Sequence, residues 1–339
     1  MATRIVCFGE LLLRLGAPGR EALLQTPRLE VHVGGAEANV AVALARFGHE
    51  AAQVGAIAGN ALGEAAAGEL RRQGVCTRGL RPAPGRMGLY FLSTGALQRP
   101  SAVLYDRAGS AFAEADPAGY DWNALLAGAD WLHLSGVSPA LGERAARASL
   151  DAAEAALALG VKVSFDGNFR PSLWAASGGD APGLLRQLMA CADLLFADHR
   201  DMAVVLGLEA AGATPEARVA EAAAAAFAAF PRLQRLATTL RDTRSVDEHV
   251  LSARLHHRDG SAHGAGPYAL AGIVDRIGGG DAFAAGVLHG LFLGRDDGEA
   301  LALGLAAAAL KHALPGDALA LPAAEVEALA QGGRLDVRR

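Results

Sequence analysis

The stretch VDRIGGGDAFAAGVLHGL, residues 274–291, changes from a strand-like end through three consecutive glycines into a helix-forming run. This order predicts a strand–turn–helix unit whose first helical N–H groups form an anion site. A carboxylate at Asp281 would repel a bound phosphate, but it could accept a proton from a hydroxyl group that attacks that phosphate. The alternative is a tight turn with Asp281 as a helix cap.

Outward from this unit, short β-rich runs alternate with longer Ala/Leu-rich stretches. That alternation predicts an α/β protein with a mainly parallel sheet covered by helices. The predicted strands are residues 4–8, 50–57, 131–135, 162–166, 194–197 and 236–239. The predicted helices include residues 36–47, 63–73, 144–158, 183–191 and 215–229.

Two segments, around residues 11–33 and 87–107, interrupt this alternation with β-type character. The second contains two runs, 87–94 and 102–107, on either side of a turn. We predict that these segments form a small antiparallel sheet inserted in the α/β domain. A flap of this kind can close over a substrate and exclude water. We therefore expect residues 1–339 to form a single domain with a β-sheet lid.

The composition limits the classes of function. The 339 residues are 52% hydrophobic and 20% charged, which is enough apolar material for a large core. A net charge of -5 without a basic cluster argues against a nucleic-acid partner. Three dispersed cysteines, Cys7, Cys76 and Cys191, predict neither a disulfide framework nor a zinc site. Since the sequence shows no membrane-length apolar run and no secretory pattern, we expect a soluble, cytoplasmic protein.

Two common nucleotide-binding motifs do not match the sequence. The only lysines, Lys162 and Lys311, do not follow a glycine, so a P-loop is excluded. After Gly278 and Gly280, the third glycine position of a Rossmann fingerprint holds Phe283. A nicotinamide- or flavin-dependent oxidoreductase is therefore not expected.

A second stretch, VGGAEANVA at residues 33–41, places two glycines at the start of a predicted helix. The backbone at Gly34 and Gly35 could approach a polar ligand closely. Asn39 lies one turn into the helix, and its amide could bind a polyol through one acceptor and two donors. The alternative is a simple turn with Asn39 on a solvated face.

A third stretch, FDGNFRPSLW at residues 165–174, directly follows a predicted strand. Ligands of open α/β sheets bind beyond the carboxyl ends of strands, so polar residues here should project toward a crevice. Arg170 could hold a carboxylate or phosphate through a bidentate contact. The alternative is a structural ion pair between Arg170 and Asp166.

Together the three stretches resemble the ribokinase-like (PfkB) carbohydrate kinases, and the resemblance covers essentially the whole chain. It rests on GGAEANVA at residues 34–41 and DRIGGGDAF at residues 275–283, which occur in the order and separation of that family. With DGNFRPSLW at residues 166–174, these motifs are most similar to those of 2-keto-3-deoxygluconate kinases. The resemblance implies a three-layer sandwich with a small β-sheet lid.

The resemblance also implies roles for individual residues. Asp281 would be the catalytic base, and three amides would stabilise the transferring phosphoryl group, those of Gly278, Gly279 and Gly280. Asp275 and the carbonyl of Ile277 match positions that hold a monovalent cation, such as K⁺, in some members. The positions that grip the sugar acid correspond to Gly34, Gly35, Asn39, Tyr90, Tyr105, Arg107 and Arg170. Cross-strand packing is the alternative role for the two tyrosines.

The nucleotide side departs from the family's pattern. The family usually has Asn-x-x-Glu where this chain has Asp198 and Asp201, although Asp201 can still act on Mg²⁺ through water. The nucleotide loop, typically Thr-x-Gly, begins at Thr239 and has Arg241 in third place. Arg241 could bind phosphate or form an ion pair with a nearby aspartate. The residues expected to meet the nucleotide are Asp198, Thr239, Arg241, Gly278 and Gly280.

The expected reaction is transfer of the γ-phosphoryl group of ATP, with Mg²⁺, to the terminal hydroxyl of a sugar acid, 2-keto-3-deoxygluconate. Arg107 and Arg170 favour an anionic substrate, because desolvating two arginines against a neutral sugar would be unfavourable. The alternatives are a fructokinase or ribokinase, a non-catalytic sugar-binding regulator of the same fold, and a Schiff-base aldolase, which would need a lysine in the site. A homodimer through the lid strands is left open.

Overall fold

One strand shows how the chain builds its layers. In β1 (Arg4–Phe8), Ile5 and Cys7 pack into one buried cluster, whereas Val6 and Phe8 pack into another. Successive side chains of a strand point to opposite faces, so a strand that is apolar throughout lies between two layers. A computed structural model, which describes residues 2–333, has this three-layer arrangement.

The strands form two sheets. After β1 they are β2 (Leu12–Gly16), β3 (Glu30–Gly34), β4 (Glu50–Ala58), β5 (Cys76–Ala83), β6 (Gly88–Ser93), β7 (Ala102–Asp106), β8 (Trp131–Ser135), β9 (Lys162–Asp166), β10 (Leu194–Phe196), β11 (Arg235–Ser245), β12 (Glu248–His257) and β13 (Ala262–Ala271). The large sheet has the order β13-β12-β11-β10-β9-β8-β1-β4-β5. It is parallel from β11 to β5 and antiparallel only in the pairs β11–β12 and β12–β13. The predicted mainly parallel sheet is confirmed.

Helices cover both faces of the large sheet. They are α1 (Ala36–Arg46), α2 (Ala61–Arg72), α3 (Trp122–Leu126), α4 (Glu143–Leu159), α5 (Pro171–Ser177), α6 (Ala181–Ala190), α7 (His199–Leu206), α8 (Pro215–Ala229), α9 (Gly279–Phe292), α10 (Asp297–Lys311) and α11 (Ala323–Ala330). The first two and last three contribute to the cluster that contains Ile5, and α3 to α8 to the one that contains Phe8. Within the described residues, no helix is long and apolar enough to cross a membrane.

The small sheet has the order β3-β2-β6-β7, and its central pair, β2 and β6, is parallel. Only the outer pairs, β2–β3 and β6–β7, are antiparallel, so the prediction of an entirely antiparallel sheet is wrong. The reason lies in the connections. Strand β2 follows β1 directly and β6 follows β5, and both preceding strands run in the same direction in the large sheet. The small sheet therefore begins at the carboxyl edge of the large one, where ligands of open α/β sheets bind.

Candidate active site

Asp281 lies in the first turn of α9, directly after the glycine turn. Its Oδ2 accepts a hydrogen bond from Asn39 Nδ2 at 2.6 Å. Burial raises the pKa of the Asp281 carboxyl to about 7; the Asn39 bond opposes this shift, and the carboxylates of Asp317 and Glu37 reinforce it. Within the described residues no side chain caps α9, so the interpretation of Asp281 as a helix cap is wrong. A carboxylate with this pKa suits a general base near neutral pH.

The three glycines before Asp281 have different surroundings. Gly278 has a φ of 78°, and a Cβ there would overlap the carbonyl of Asp317, so only glycine fits. A Cβ on Gly279 would press against the His312 ring, whereas one on Gly280 would meet open space. The first N–H groups of a helix have no intrahelical acceptor. An anion can therefore reach the N-terminus of α9 on the Gly280 side, beside the candidate base.

Gly34 and Gly35 are required by the packing of the chain itself. Gly35 has a φ of 145°, and a Cβ on it would overlap the carbonyl of Glu10. A Cβ on Gly34 would overlap the Asp317 carboxylate. Their binding of a ligand stays a prediction. Asn39 is only 5% exposed and bonds to the candidate base, so the interpretation that places it on a solvated face is wrong.

Glu37 is an acidic residue of the site that the sequence analysis did not single out. It is buried at the start of α1 and accepts hydrogen bonds from the hydroxyls of Ser135 and Ser138, each at 2.8 Å. Burial raises the pKa of Glu37, and the two hydroxyls oppose the shift. An acidic residue in a first helical turn is ordinarily solvated, so no sequence signal indicates this position.

Arg170 precedes α5 and is exposed to solvent. The expected alternative, an ion pair with Asp166, is wrong: among residues 2–333 the guanidinium makes one hydrogen bond, to the Phe169 carbonyl at 3.4 Å. Burial raises the pKa of Asp166 well above its usual value, and the carboxylates of Asp281 and Asp201 raise it further. The positive charge of Arg170 lowers the pKa of all three carboxyls, so the guanidinium lies within electrostatic range of this acidic group.

Tyr90 and Tyr105 lie directly opposite each other on β6 and β7, with their ring centres 6.3 Å apart. The alternative of cross-strand packing is thus confirmed for both. Tyr90 is also nearly buried, and its hydroxyl donates to Asp317 Oδ2 at 2.6 Å. Tyr105 remains partly exposed and is the better placed of the two for contact with a ligand.

Arg107 already has a counter-charge. Its Nε lies 2.6 Å from Glu10 Oε2, and both side chains are almost fully buried. The expectation that two arginines lack a counter-charge is therefore wrong for Arg107, because the sequence analysis did not single out Glu10. The argument for an anionic substrate now rests on Arg170.

Both carboxylate oxygens of Asp275 are bonded within the chain. Oδ1 accepts from the Ile277 N–H at 3.0 Å, and Oδ2 accepts from the Gly316 N–H at 3.1 Å. Arg14 Nη1 lies 2.8 Å from the same Oδ2 and 3.2 Å from Asp317 Oδ1. A guanidinium thus lies against the carboxylate that the resemblance assigns to a monovalent cation, and this donor set does not fit a bound ion.

Asp198 and Asp201 form a capping box at the start of α7. The Asp198 carboxylate accepts from the Arg200 N–H at 2.7 Å, and the Asp201 carboxylate accepts from the Asp198 N–H at 2.9 Å. The Arg200 guanidinium also pairs with Asp198, which neutralises the charge that replaces the family's asparagine. Burial raises the pKa of Asp201 to about 6, and Asp198 adds to the shift.

Arg241 lies two residues after Thr239 on β11 and is exposed. The alternative of an ion pair is wrong, since in the described part of the chain Arg241 has no carboxylate partner. Although the residue is exposed, partial desolvation of its side chain by the surrounding protein lowers the pKa of Arg241, and the positive charges of Arg276 and Arg200 lower it further. The positive charge around Arg241 makes this a place where a polyanion is favoured. Neither Arg276 nor Arg200 was singled out from the sequence.

A cavity of about 380 Å³ separates the small sheet from the segment that leads into α9. Its lining includes Leu92 and Val103 from the small sheet, Thr94 just after β6, and Thr243, Arg276 and Ile277 from the opposite side. This volume is in the range of small-molecule sites. The small sheet therefore has room to approach the glycine turn.

Comparison with known proteins supports the sequence resemblance. The model of the pfkB family of carbohydrate kinases matches residues 2–324. The chain is 32% identical over 339 residues to the 2-dehydro-3-deoxygalactonokinase of Haloferax volcanii, with 100% of both chains covered. It is 38% identical to the 2-dehydro-3-deoxygluconokinase of Thermotoga maritima, whose crystal structure gives a TM-score of 0.92 over 98% of this chain and 99% of that one. The fructokinase from Xylella fastidiosa with bound ATP has a TM-score of 0.74 at 25% identity, with 97% and 98% covered.

Proposed function

The chain belongs to the pfkB family of carbohydrate kinases, and from this membership we propose that it phosphorylates the terminal hydroxyl of a 2-keto-3-deoxy sugar acid, with ATP as the donor. The substrate we propose is 2-keto-3-deoxygluconate. The observation that carries the proposal is the convergence of Asp281, with its pKa of about 7, and the exposed guanidinium of Arg170 on one group of carboxylates. A base and a free cation thus share the site.

In the proposed reaction Asp281 accepts the proton of the terminal hydroxyl. The hydroxyl oxygen forms a bond to the γ-phosphorus while the bond from that phosphorus to the β–γ bridging oxygen breaks, and ADP leaves. The Asn39 amide, 2.6 Å from the carboxylate, orients the base. Charge on the transferring oxygens is balanced by the N–H groups beside Gly280 at the start of α9.

Mg²⁺ would come with ATP, and it supplies charge neutralisation on the phosphate oxygens. Asp201 would hold the ion through water. Asp166 is near enough to Asp201 that the Asp201 carboxylate raises its pKa. Within the described residues neither carboxylate forms an ion pair, and no three acidic, histidine or cysteine side chains form a ready metal cluster. This donor set fits an ion that keeps several waters and phosphate oxygens as ligands.

We propose that Arg241 and Arg276 bind the triphosphate, because the charge of Arg276 lowers the pKa of Arg241 and neither arginine has a carboxylate partner among the described residues. Thr239 lies on β11, the strand that carries Arg241, and would contact the nucleotide. Asp198 already pairs with Arg200 and caps α7. Its proposed contribution to nucleotide binding is to fix the position of Arg200 beside the triphosphate.

The substrate side offers Arg170 for the carboxylate of the sugar acid. The relatives described above are named for the gluconate and the galactonate form, which differ in configuration at one carbon. If the substrate were a neutral sugar, it would offer Arg170 no carboxylate to bind, so a neutral-sugar kinase is disfavoured. A regulator without turnover would have no use for a base at Asp281. An aldolase is disfavoured, because Lys311 is fully buried and Lys162 begins β9, at the end opposite the site.

Three further parts of the proposal concern the whole protein. The small sheet, residues 11–33 and 87–107, would act as the lid over the sugar. Val31 and Leu104 are 59% and 60% exposed on its outer strands, which supports a homodimer through the lid. A cytoplasmic location is proposed because the reaction consumes ATP.

The experiment is a measurement of ADP release with both 2-keto-3-deoxy acids, fructose and ribose as acceptors. We expect kcat/KM for a keto-deoxy acid to exceed that for either neutral sugar by at least about tenfold. The ³¹P resonance of the product should be split by the two protons of a terminal CH₂ group. A higher kcat/KM on fructose or ribose would replace the acid kinase by a neutral-sugar kinase.

A further inference from the structure

Lys311 has a fully buried ammonium group at the end of α10. Burial lowers the pKa of Lys311, and the carboxylates of Asp275 and Asp317 oppose this shift. Its Nζ donates to the carbonyl of Leu314 at 3.0 Å and to that of Asp275 at 3.4 Å. The chain has two lysines among its 31 Lys and Arg residues, so arginine is its ordinary basic residue. Lysine differs from arginine in having a compact charge with three donors, which suits a pocket of backbone carbonyls.

The Lys311 ammonium lies among other buried charged groups, and the carboxylates of Asp275, Asp317 and Asp281 all act on it. Arg14 and Lys311 supply two positive charges, and Asp275 and Asp317 supply two negative ones; Arg14 and Asp317 have side-chain exposures of 3% each. A buried charge is tolerated when it is paired and hydrogen-bonded. An additional metal cation beside Asp275 would lie against the positive groups of Arg14 and Lys311.

The segment that begins at Lys311 supports the glycine turn of the active site. The His312 carbonyl accepts from the Val274 N–H at 2.9 Å, and the Gly316 N–H donates to the Asp275 carboxylate at 3.1 Å. The backbone of Asp317 lies against Gly278, where a Cβ would overlap its carbonyl. These contacts connect the Lys311 ammonium to the turn that presents the base, so loss of the charge should move that turn.

We propose that Lys311 is a positioning residue whose ammonium group takes the place of a monovalent cation beside the glycine turn. Phosphoryl transfer by this protein then requires neither K⁺ nor Na⁺. The inference rests on the kinase activity but not on which sugar is phosphorylated. The ammonium group replaces the ion that was expected at Asp275. The carboxylate and the carbonyl of Asp275 are both already bonded to groups of the chain itself.

The first test uses the unmodified protein. Turnover is measured in buffers whose cation is N-methylglucamine, K⁺, Na⁺ or Cs⁺ at equal ionic strength. We expect kcat to agree within about twofold across the four, and the melting temperature to be the same in each, since no site gains an ion. Activation by K⁺ of more than about fivefold, or a melting temperature raised by K⁺ alone, would overturn the inference.

The second test uses Lys311→Met and Lys311→Gln, with Lys162→Met as the control for removal of the other lysine. We expect kcat to fall about tenfold to a hundredfold in the Lys311 variants, with a smaller change in KM, because the turn is displaced. K⁺ or NH₄⁺ should restore part of kcat and raise the melting temperature of these variants only. A folded Lys311→Gln that shows no cation rescue in either measurement would make Lys311 a purely structural residue. The melting measurement decides this even if none of the tested sugars is a substrate.

Discussion

Asn39 Nδ2 lies 2.6 Å from Asp281 Oδ2, and this hydrogen bond joins the first turns of α1 and α9. Each helix follows a glycine with positive φ, Gly35 or Gly278, and the bond brings the two N-terminal turns together at one carboxylate. Helix N-termini stabilise negative charge. They therefore favour negative charge at this point, including that on the phosphoryl group when the sugar hydroxyl attacks it.

Asp281→Asn should abolish most phosphoryl transfer while preserving the fold, because the side chain keeps its shape and can still bond to Asn39. A general base contributes about 10²–10⁴-fold, so kcat should fall by that factor. Thermal melting with the sugar acid should show that binding is retained. Asp151→Asn on α4, which removes a surface ion pair with Arg147, is the matched control and should be near wild type. Retention of more than about half the activity by Asp281→Asn would reject the base assignment.

The pH dependence of kcat/KM should reflect Asp281. The free enzyme must hold this carboxyl ionised to accept a proton, and its pKa lies near 7 rather than near its usual value. Activity should therefore rise between about pH 6 and pH 8, by about tenfold per unit on the acid side. Since the Asn39 bond lowers this pKa, Asn39→Ala should move the rise to higher pH. A flat profile from about pH 5 to pH 9 in the wild type would exclude this carboxyl as the base.

Arg241→Ala should raise KM for ATP and leave KM for the sugar acid nearly unchanged. The exposed guanidinium has no carboxylate partner in the described chain and lies near two other arginines, so its favourable partner is an anion from solution. A lost charge-assisted contact corresponds to about 1.5–3 kcal/mol. Arg244→Ala on the same hairpin is the control, since Arg244 pairs with Glu248 at the surface. Equal effects of the two variants on KM for ATP would show that Arg241 has no specific role.

The small sheet should become protected when substrate binds. It carries Tyr105 and borders the cavity in front of α9, so closure would shield its backbone from exchange. Hydrogen exchange across residues 87–107 should slow with saturating sugar acid, while β4 in the interior of the large sheet should not change. Unaltered exchange in residues 87–107 at saturation would remove the lid from the mechanism.

The parallel sheet was predictable because its strands are apolar on both faces, as in β1. The edge strands β5 and β13 were not predictable from the sequence. Each contains a proline, Pro82 in β5 and Pro267 in β13. Proline within a run argues against a central strand and is tolerated at an edge. At these edges partial exposure also weakens the apolar pattern, as the absence of fully buried residues in β13 shows. Strand β12 pairs with β13 in an antiparallel hairpin, and the sequence analysis did not predict either strand.

The glycine turn and Asp281 were predictable because their chemistry is contained in one short stretch. The groups that tune the pKa of Asp281 come from distant parts of the chain, since Asn39 bonds to Asp281 across 242 positions and the carboxylates of Glu37 and Asp317 act on it. The buried pair of Glu10 and Arg107 also joins residues 97 positions apart. No spacing in the sequence encodes such pairs. The contact between the Lys311 ammonium and the Asp275 carbonyl could not be predicted for the same reason. The sequence of α10 is that of an ordinary buried helix.

The comparison of Arg170→Lys with wild type on acid and neutral acceptors tests the central claim most directly. Lysine keeps the charge but loses the bidentate geometry, so only a substrate with a carboxylate should suffer. We predict a higher KM for 2-keto-3-deoxygluconate, by about tenfold or more, with the weaker activity on fructose and ribose almost unchanged. An equal effect of the substitution on all three acceptors would contradict the assignment of a sugar-acid kinase and leave only the family.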